Sequence, residues 1–311
     1  MKVVIVGAGL SGLVAARELT GHGVDVCVVD KGRSVGGRLA TRRIGSARLD
    51  HGAQFFTVRT PAFQRRVDDW IDRGLVHVWN HGFDDDDGYP RYVGSAGMNS
   101  LAKDLARGLD VETSTMAFTV RAANGEQRWD VVIDDGSARP ADAVILTCPI
   151  PQSIALLVDS GVELGGPMAS ADYDRTIGLL ATLDGPAALG ESGGVQHRDE
   201  VFSFIGDNVA KGVSTEQALT FHANPVWSEE HWDDDDLVDR LVAAATPWLG
   251  RASIVQAQVK KWRFATPRVV WPEPCWTTAD ESIVLAGDAF AGPKVEGAHS
   301  SGLAAAHALV R

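Results

Sequence analysis

Apolar positions along the chain come in short unbroken runs and in alternating stretches, and the two patterns predict different environments. Residues 3–6 are a continuous apolar run, as in a strand buried on both faces. Leu10, Leu13, Val14 and Leu19 recur at helical spacing, and Gly21 and Gly23 stop the helix they predict. Residues 24–30 form a second, β-branched strand, so the chain opens with a βαβ unit. An amphipathic helix is expected over 97–109, followed by strands over 111–120, 129–133 and 143–147. Asp134-Asp135-Gly136 is a hairpin signal between the last two of these.

Pro149 and Pro151 mark a crossing between domains. Residues beyond them mix helices (152–158, 236–246) with strands (176–183, 201–205, 218–222, 254–261). A buried-type strand at 283–286 and a helix at 302–310 close the chain.

Composition narrows the function classes. At 311 residues, 45% of them hydrophobic, the chain has material for two packed domains. With 29 Lys and Arg against 41 Asp and Glu, the formal charge is −12. Such a surface repels phosphate backbones and anionic lipid headgroups, so neither nucleic acid nor a membrane is an expected partner. No apolar stretch reaches spanning length, and glycines break the N-terminal run early, so a cytoplasmic protein is expected. The cysteines Cys27, Cys148 and Cys275 form no CxxC pair, which points to a reducing compartment, with Cys27 and Cys148 as inert core thiols. The aspartate runs at 84–87 and 233–236 lack calcium-loop spacing. The first reads as an exposed loop and the second as a helix cap, and no metal site is expected.

The chemistry is carried by glycines. Gly7-Ala8-Gly9-Leu10-Ser11-Gly12 lies between the first strand and first helix. Gly7 allows a tight turn, Gly9 lets backbone approach a pyrophosphate, and Gly12 lets helix pack on strand, with the helix N-terminal amides facing the anion. Asp30 ends the second strand where a carboxylate accepts ribose hydroxyls. Together they predict a dinucleotide site, with NAD and FAD both open.

Further along, Asp30-Lys31-Gly32-Arg33-Ser34-Val35-Gly36-Gly37-Arg38 resembles the second FAD signature of the flavin amine oxidase superfamily. There the glycines and arginine lie along the pyrophosphate, and an arginine fork suits phosphate oxygens. Gly287-Asp288 after a strand, with Val295-Glu296-Gly297-Ala298 opening the last helix, resembles the superfamily's C-terminal flavin motif. That resemblance implies an aspartate on the ribityl–pyrophosphate chain and a helix N-terminus at the flavin N1–C2=O edge, where reduction places negative charge. It further implies that Lys31, Ala53, Gln54, Phe55 and Val120 line non-covalently bound FAD. The fold it implies is α/β: a Rossmann-like FAD-binding domain of glutathione-reductase-like topology with an inserted α+β substrate domain. The expected FAD domain covers 1–60, 93–150 and 262–311; the substrate domain covers 61–92 and 151–261.

Within the superfamily the resemblance narrows to the renalases, particularly the bacterial ones. Its carrying segments are Asp50-His51-Gly52-Ala53-Gln54-Phe55-Phe56-Thr57, Gly97-Met98, Phe221-His222-Ala223, Trp227-Ser228, Trp262 with Ala265 and Pro267, and Lys294 to Ala298. Renalases oxidise the 2- and 6-dihydro isomers of NAD(P)H, pass hydride to flavin N5 and reduce O2 to H2O2. A dihydropyridine losing hydride becomes aromatic and needs no proton abstracted, so aromatic walls are expected rather than an acid–base dyad. Phe55, Phe56, His222, Trp262 and Trp271 are the wall candidates. The departures are Ala289 and His299, where bacterial renalases tend to carry tryptophan. An amine oxidase is the competing enzyme, with Lys260-Lys261 as its available lysine; a protein that holds FAD without turnover is the non-enzyme alternative.

Overall fold

The continuous apolar runs become the middle of a parallel sheet. A computed structural model of the chain describes residues 1–83, 87–196, 200–290 and 292–310. Cα packing divides it into two units, Met1–Gly37 with Leu101–Asp172 and Pro267–Arg311, and Arg38–Ser100 with Tyr173–Thr266.

In unit 1 the sheet order is Trp276–Thr277, Ile283–Leu285, Ala143–Leu146, Lys2–Val6, Asp25–Asp30, Asp110–Thr113. All pairings are parallel except that of the Trp276–Thr277 edge. Val3, Val4 and Ile5 are fully buried, as are Val144 to Leu146 beside them, which is why these strands carry no polar alternation. The first helix, Leu10–Gly21, packs on the closing helix, Val295–Leu309. Their approach is close enough that a Cβ on Gly302 would lie 2.3 Å from the Ser11 carbonyl oxygen. An antiparallel sheet of Ala117–Ala122, Trp129–Ile133 and Ala138–Ala141 completes the strands of this unit.

Unit 2 is built on a sheet ordered Gly194–Gln196, Phe202–Asp207, Ala218–Ala223, Tyr173–Leu183, Ile254–Pro267. One face packs on the helix Leu237–Ala245 around Ile177, Leu179, Phe221 and Leu241. The hairpins Thr41–Ile44/Ala47–Asp50 and Val76–Asn80/Arg91–Gly94 belong to the same unit, as does the helix Pro61–Asp72, capped by Thr60. Asn224 caps the helix Pro225–Glu230 through the Trp227 amide at 2.8 Å, and this seats the buried Ser228 hydroxyl 3.0 Å from the Ile177 amide.

Several expected elements fall differently. The hairpin at Asp134–Gly136 joins Trp129–Ile133 to Ala138–Ala141, not to the strand at 143; that run is buried on both faces and belongs to the parallel sheet. The strand expected over 111–120 breaks in two at Ser114, whose φ is +54°. The helix expected over 97–109 spans Asn99–Leu105, bounded by Gly97 and Gly108, both at positive φ. Asp236 stands at the N-cap of Leu237–Ala245 but makes no cap bond; its carboxylate takes the Arg240 Nε at 2.7 Å instead, which lowers its pKa. Residues 84–86 of the first aspartate run lie outside the described residues, while Asp87 pairs with Arg91, which holds its carboxyl down at about 2. Among the described residues no helix is long and apolar enough to cross a membrane. Cys27 is buried and pushed up to about 12, mainly by that burial, and burial raises Cys148 as well, as expected of inert thiols.

Candidate active site

Strand Lys2–Val6 ends at Gly7, whose φ of +113° admits the turn. Thr147 donates its hydroxyl to the Gly7 carbonyl at 3.0 Å, and a Cβ on Gly7 would lie 2.5 Å from that same oxygen. A Cβ on Gly12 would lie 2.0 Å from the Gly7 carbonyl oxygen, so helix and strand meet there with no room for a methyl group. Gly9 is the helix N-cap and offers no side chain, and the first amide to bond back is Leu13 to the Gly9 carbonyl at 3.0 Å. The amides of Ser11 and Gly12 are left for an anion. Nothing lies within 4 Å of a Cβ placed on Gly9, so the space over the turn is open. The Ser11 hydroxyl is buried with no hydrogen-bond partner.

Asp30 accepts the amides of Ala8 and Gly32, each at 2.6 Å, on separate carboxylate oxygens. Each oxygen retains a lone pair for a ribose hydroxyl. Gly36 donates to the Ala8 carbonyl at 2.8 Å, and Gly37 lies against Gly9, so the second glycine motif runs beside the first. Lys31 is exposed, and the Val120 side chain is buried within its sheet.

At the other end of the chain, the Gly287 amide donates to the buried Ser301 hydroxyl at 2.8 Å, tying the turn after Ile283–Leu285 to the closing helix. That helix starts after Lys294 without a side-chain cap, and half-buried Val295, Glu296 and Ala298 form its first turn. Asp288 is half-buried, and Ala289 and His299 are buried. Trp271 donates its amide to the Ala289 carbonyl at 2.7 Å and lines an apolar cavity of about 340 Å³ with Ile150, Met168, Val270 and Pro272.

Unit 2 holds the other expected residues. Arg38 donates from Nη1 to the Ala265 carbonyl at 3.1 Å and accepts the Ala53 amide at 2.8 Å on its own carbonyl. Phe55 packs against Phe83 and Phe204, at 5.2 and 6.0 Å between centroids, and Trp79 closes the same aromatic array. Phe56 is not a wall residue: it is 3% exposed, packed between Tyr92 and Phe63 in the core. His222 lies 6.3 Å from Phe204. Trp262 stacks on His51 at 5.3 Å and donates from Nε1 to the His51 carbonyl at 2.7 Å.

Beneath these rings runs a buried polar network. Lys211 and Asp50 are both 0% exposed, with Nζ 3.0 Å from Oδ2. Lys211 also donates to the Gln54 Oε1 at 3.1 Å, and Asp50 Oδ1 accepts the Met98 amide at 2.8 Å and the Thr41 hydroxyl. Burial, with Lys260 and Arg42 adding repulsion, pushes the His51 imidazole down to about 4. Burial likewise lowers His222 to about 4, against a raising bond to the His51 carbonyl. Both rings are therefore neutral at physiological pH. Two lysines act on this region, Lys211 in the ion pair and Lys260 through its charge on His51, while Lys261 donates to the Trp232 carbonyl at the surface. Lys211 carried no sequence signal, standing alone after Asp207-Asn208-Val209-Ala210. Asp50 and His51 stand in the renalase-like segment 50–57 with no role of their own marked by the sequence. Among the described residues no group of three or more His, Cys, Asp or Glu could hold a metal ion.

A family model described as flavin containing amine oxidoreductase matches residues 75–310. The chain belongs to that family. A second model, an NAD(P)-binding Rossmann-like domain, matches residues 5–73. FAD is the cofactor of this flavin amine oxidoreductase, and the unit 1 residues fit it: a glycine-only turn, unbonded helix amides, an orphaned serine hydroxyl and a carboxylate with spare lone pairs. Renalase from Mus musculus is 28% identical over 172 residues, 51% of this chain and 50% of that protein. Coproporphyrinogen III oxidase from Mycobacterium leprae is 30% identical over 198 residues, 61% and 42% of the two chains. The chain thus spans half or less of the length of these relatives. Among solved structures, a putative protoporphyrinogen oxidase from Exiguobacterium sp. 255-15 superposes with a TM-score of 0.74 at 14% identity, covering 100% of this chain and 99% of that one. Putrescine oxidase bound to putrescine gives 0.70 at 17% identity, with the same coverage. At such identities these two show the fold.

Proposed function

We propose that this flavin oxidoreductase is a renalase-type oxidase, converting the 2- and 6-dihydro isomers of NAD(P)H to NAD(P)+ while O2 is reduced to H2O2. The bound flavin supplies hydride acceptance at N5 and delivery of the two electrons to O2. The observation that carries the reading is the character of the unit 2 rings. His51 and His222 are held neutral with pKa values near 4, and Lys211 is closed into an ion pair with Asp50. Neither imidazole is a base tuned to neutral pH, and as a wall the rings offer shape and hydrogen-bond acceptors. A dihydropyridine needs no more, because loss of hydride alone makes it aromatic. An ammonium substrate must lose a proton before oxidation. The partial similarity to renalase adds support.

Anaerobic stopped-flow reduction tests this. The purified holoenzyme is mixed with each dihydro isomer, with ordinary NADH, and with putrescine, spermidine and benzylamine as amine probes. The expected result is rapid bleaching by a dihydro isomer, with NADH slower by at least about a hundredfold, a discrimination of roughly 2.7 kcal/mol in the transition state. Faster bleaching by an amine refutes the proposal, as does bleaching by none of the compounds.

A further inference from the structure

The buried network orders its own hydrogens, and the order ends on an unused lone pair. An ammonium only donates, so the Lys211 contact at 3.1 Å identifies the Gln54 atom facing it as the oxygen. The Gln54 amide nitrogen therefore faces the other way, where the carbonyls of Asp50 and Gly52 stand 2.8 and 3.1 Å off. Those two acceptors consume both of its hydrogens. His222 Nε2 is 3.4 Å from that nitrogen and 3.2 Å from the His51 carbonyl oxygen. With Gln54 spent, a bare Nε2 would oppose the carbonyl lone pair to lone pair. The proton belongs on Nε2, donated to the His51 carbonyl, whose other donor is Trp262. The ring is neutral, so Nδ1 carries no proton, and Nδ1 makes no hydrogen bond among the described residues.

We infer that Lys211 and Gln54 act as positioning residues that hold His222 in its Nε2–H tautomer, leaving Nδ1 to accept a hydrogen bond from an N–H group of the substrate. Resting on the reading above, that group is the carboxamide NH2 of the dihydronicotinamide. Ring identity is then sensed by an acceptor that rejects a donor-less analogue, because a buried acceptor left without its donor is penalised.

Two measurements on the holoenzyme test this. Histidine-selective 15N–1H correlation spectra at neutral pH, with His222 assigned through a His222→Phe variant, are expected to show the proton on Nε2. In Asp50→Asn/Lys211→Met, which removes both charges together, Gln54 is free to turn and a mixture of tautomers is expected. A proton on Nδ1 in the unmodified protein overturns the inference, and an unchanged Nε2–H tautomer in the double variant removes Lys211 from it. The kinetic arm compares dihydro isomers of NADH with those of its 3-acetylpyridine analogue, in which a methyl group replaces NH2. The unmodified enzyme is expected to favour the carboxamide about tenfold in kcat/KM, and His222→Phe to bring the ratio to about one. A preference that survives in His222→Phe overturns the substrate contact. If no dihydro isomer reduces the flavin, the proposed function falls, and the spectra still decide the tautomer.

Discussion

Removing the ammonium from Lys211 exposes how the unit 2 network is held. Lys211 and Asp50 are fully buried, and Nζ is the only cation within ion-pair distance of Asp50 Oδ2 among the described residues. Lys211→Met keeps most of the linear stem and deletes the charge. The Asp50 carboxylate then retains two bonds, both on Oδ1, from Thr41 and the Met98 amide. Oδ2 loses its partner in a dry environment, and Gln54 loses the donor to its oxygen. Breaking a buried pair from one side costs about 3–5 kcal/mol, a large part of the 5–15 kcal/mol typical of a domain. Asp50→Asn/Lys211→Met removes both charges and is expected to recover at least about 2 kcal/mol of that loss, because most of it is one uncompensated carboxylate. Urea unfolding at matched, saturating FAD, followed by tryptophan fluorescence, measures both variants. A loss below about 1 kcal/mol for Lys211→Met, or a double variant no more stable than the single one, refutes the argument that the pair is a closed buried unit.

Other perturbations reach other parts of the molecule. Gly12→Ala places a Cβ 2.0 Å from the Gly7 carbonyl oxygen, so the turn must open and the flavin absorbance is expected to be lost on desalting. Gly302→Ala sets a methyl group 2.3 Å from the Ser11 backbone oxygen at the helix crossing, and a loss of about 1–3 kcal/mol is expected in thermal unfolding with FAD present. Acid destabilisation should begin early: His51 and His222 have folded pKa values of about 4, below the 6.5 of an ordinary histidine. The unfolded chain therefore takes up these protons first, so stability falls as pH drops from 6.5 towards 4, by up to about 3 kcal/mol per ring. Urea midpoints measured across that window check it, and a slope unchanged in His222→Gln removes that ring from the effect.

What could be read in the chain divides along a physical line. The FAD half was legible because its constraints are local. A turn that rejects Cβ atoms, an acid closing the next strand and an uncapped helix each leave neighbouring residues as their trace, and Gly7, Gly12, Asp30 and Gly287 stand in those roles. The assignment of secondary structure failed where locality failed: the run at 143 joined a parallel sheet with strands 140 residues away rather than the nearby hairpin. The buried unit 2 network fails the same test more severely. Asp50 and Gln54 share one segment, but Lys211, His222 and Trp262 come from far along the chain, and Lys211 differs from a surface lysine only by its burial. Aromatic residues alone did not separate wall from core either, since Phe56 and Phe55 are adjacent yet one fills the interior and the other joins the Phe83–Phe204 array. In the function proposed for this chain, substrate choice thus rests on protonation states and a tautomer set over long sequence separations. His222 illustrates this: the sequence offers it as a wall candidate, and the tautomer inferred for it depends on contacts with residues as distant as Gln54 and His51.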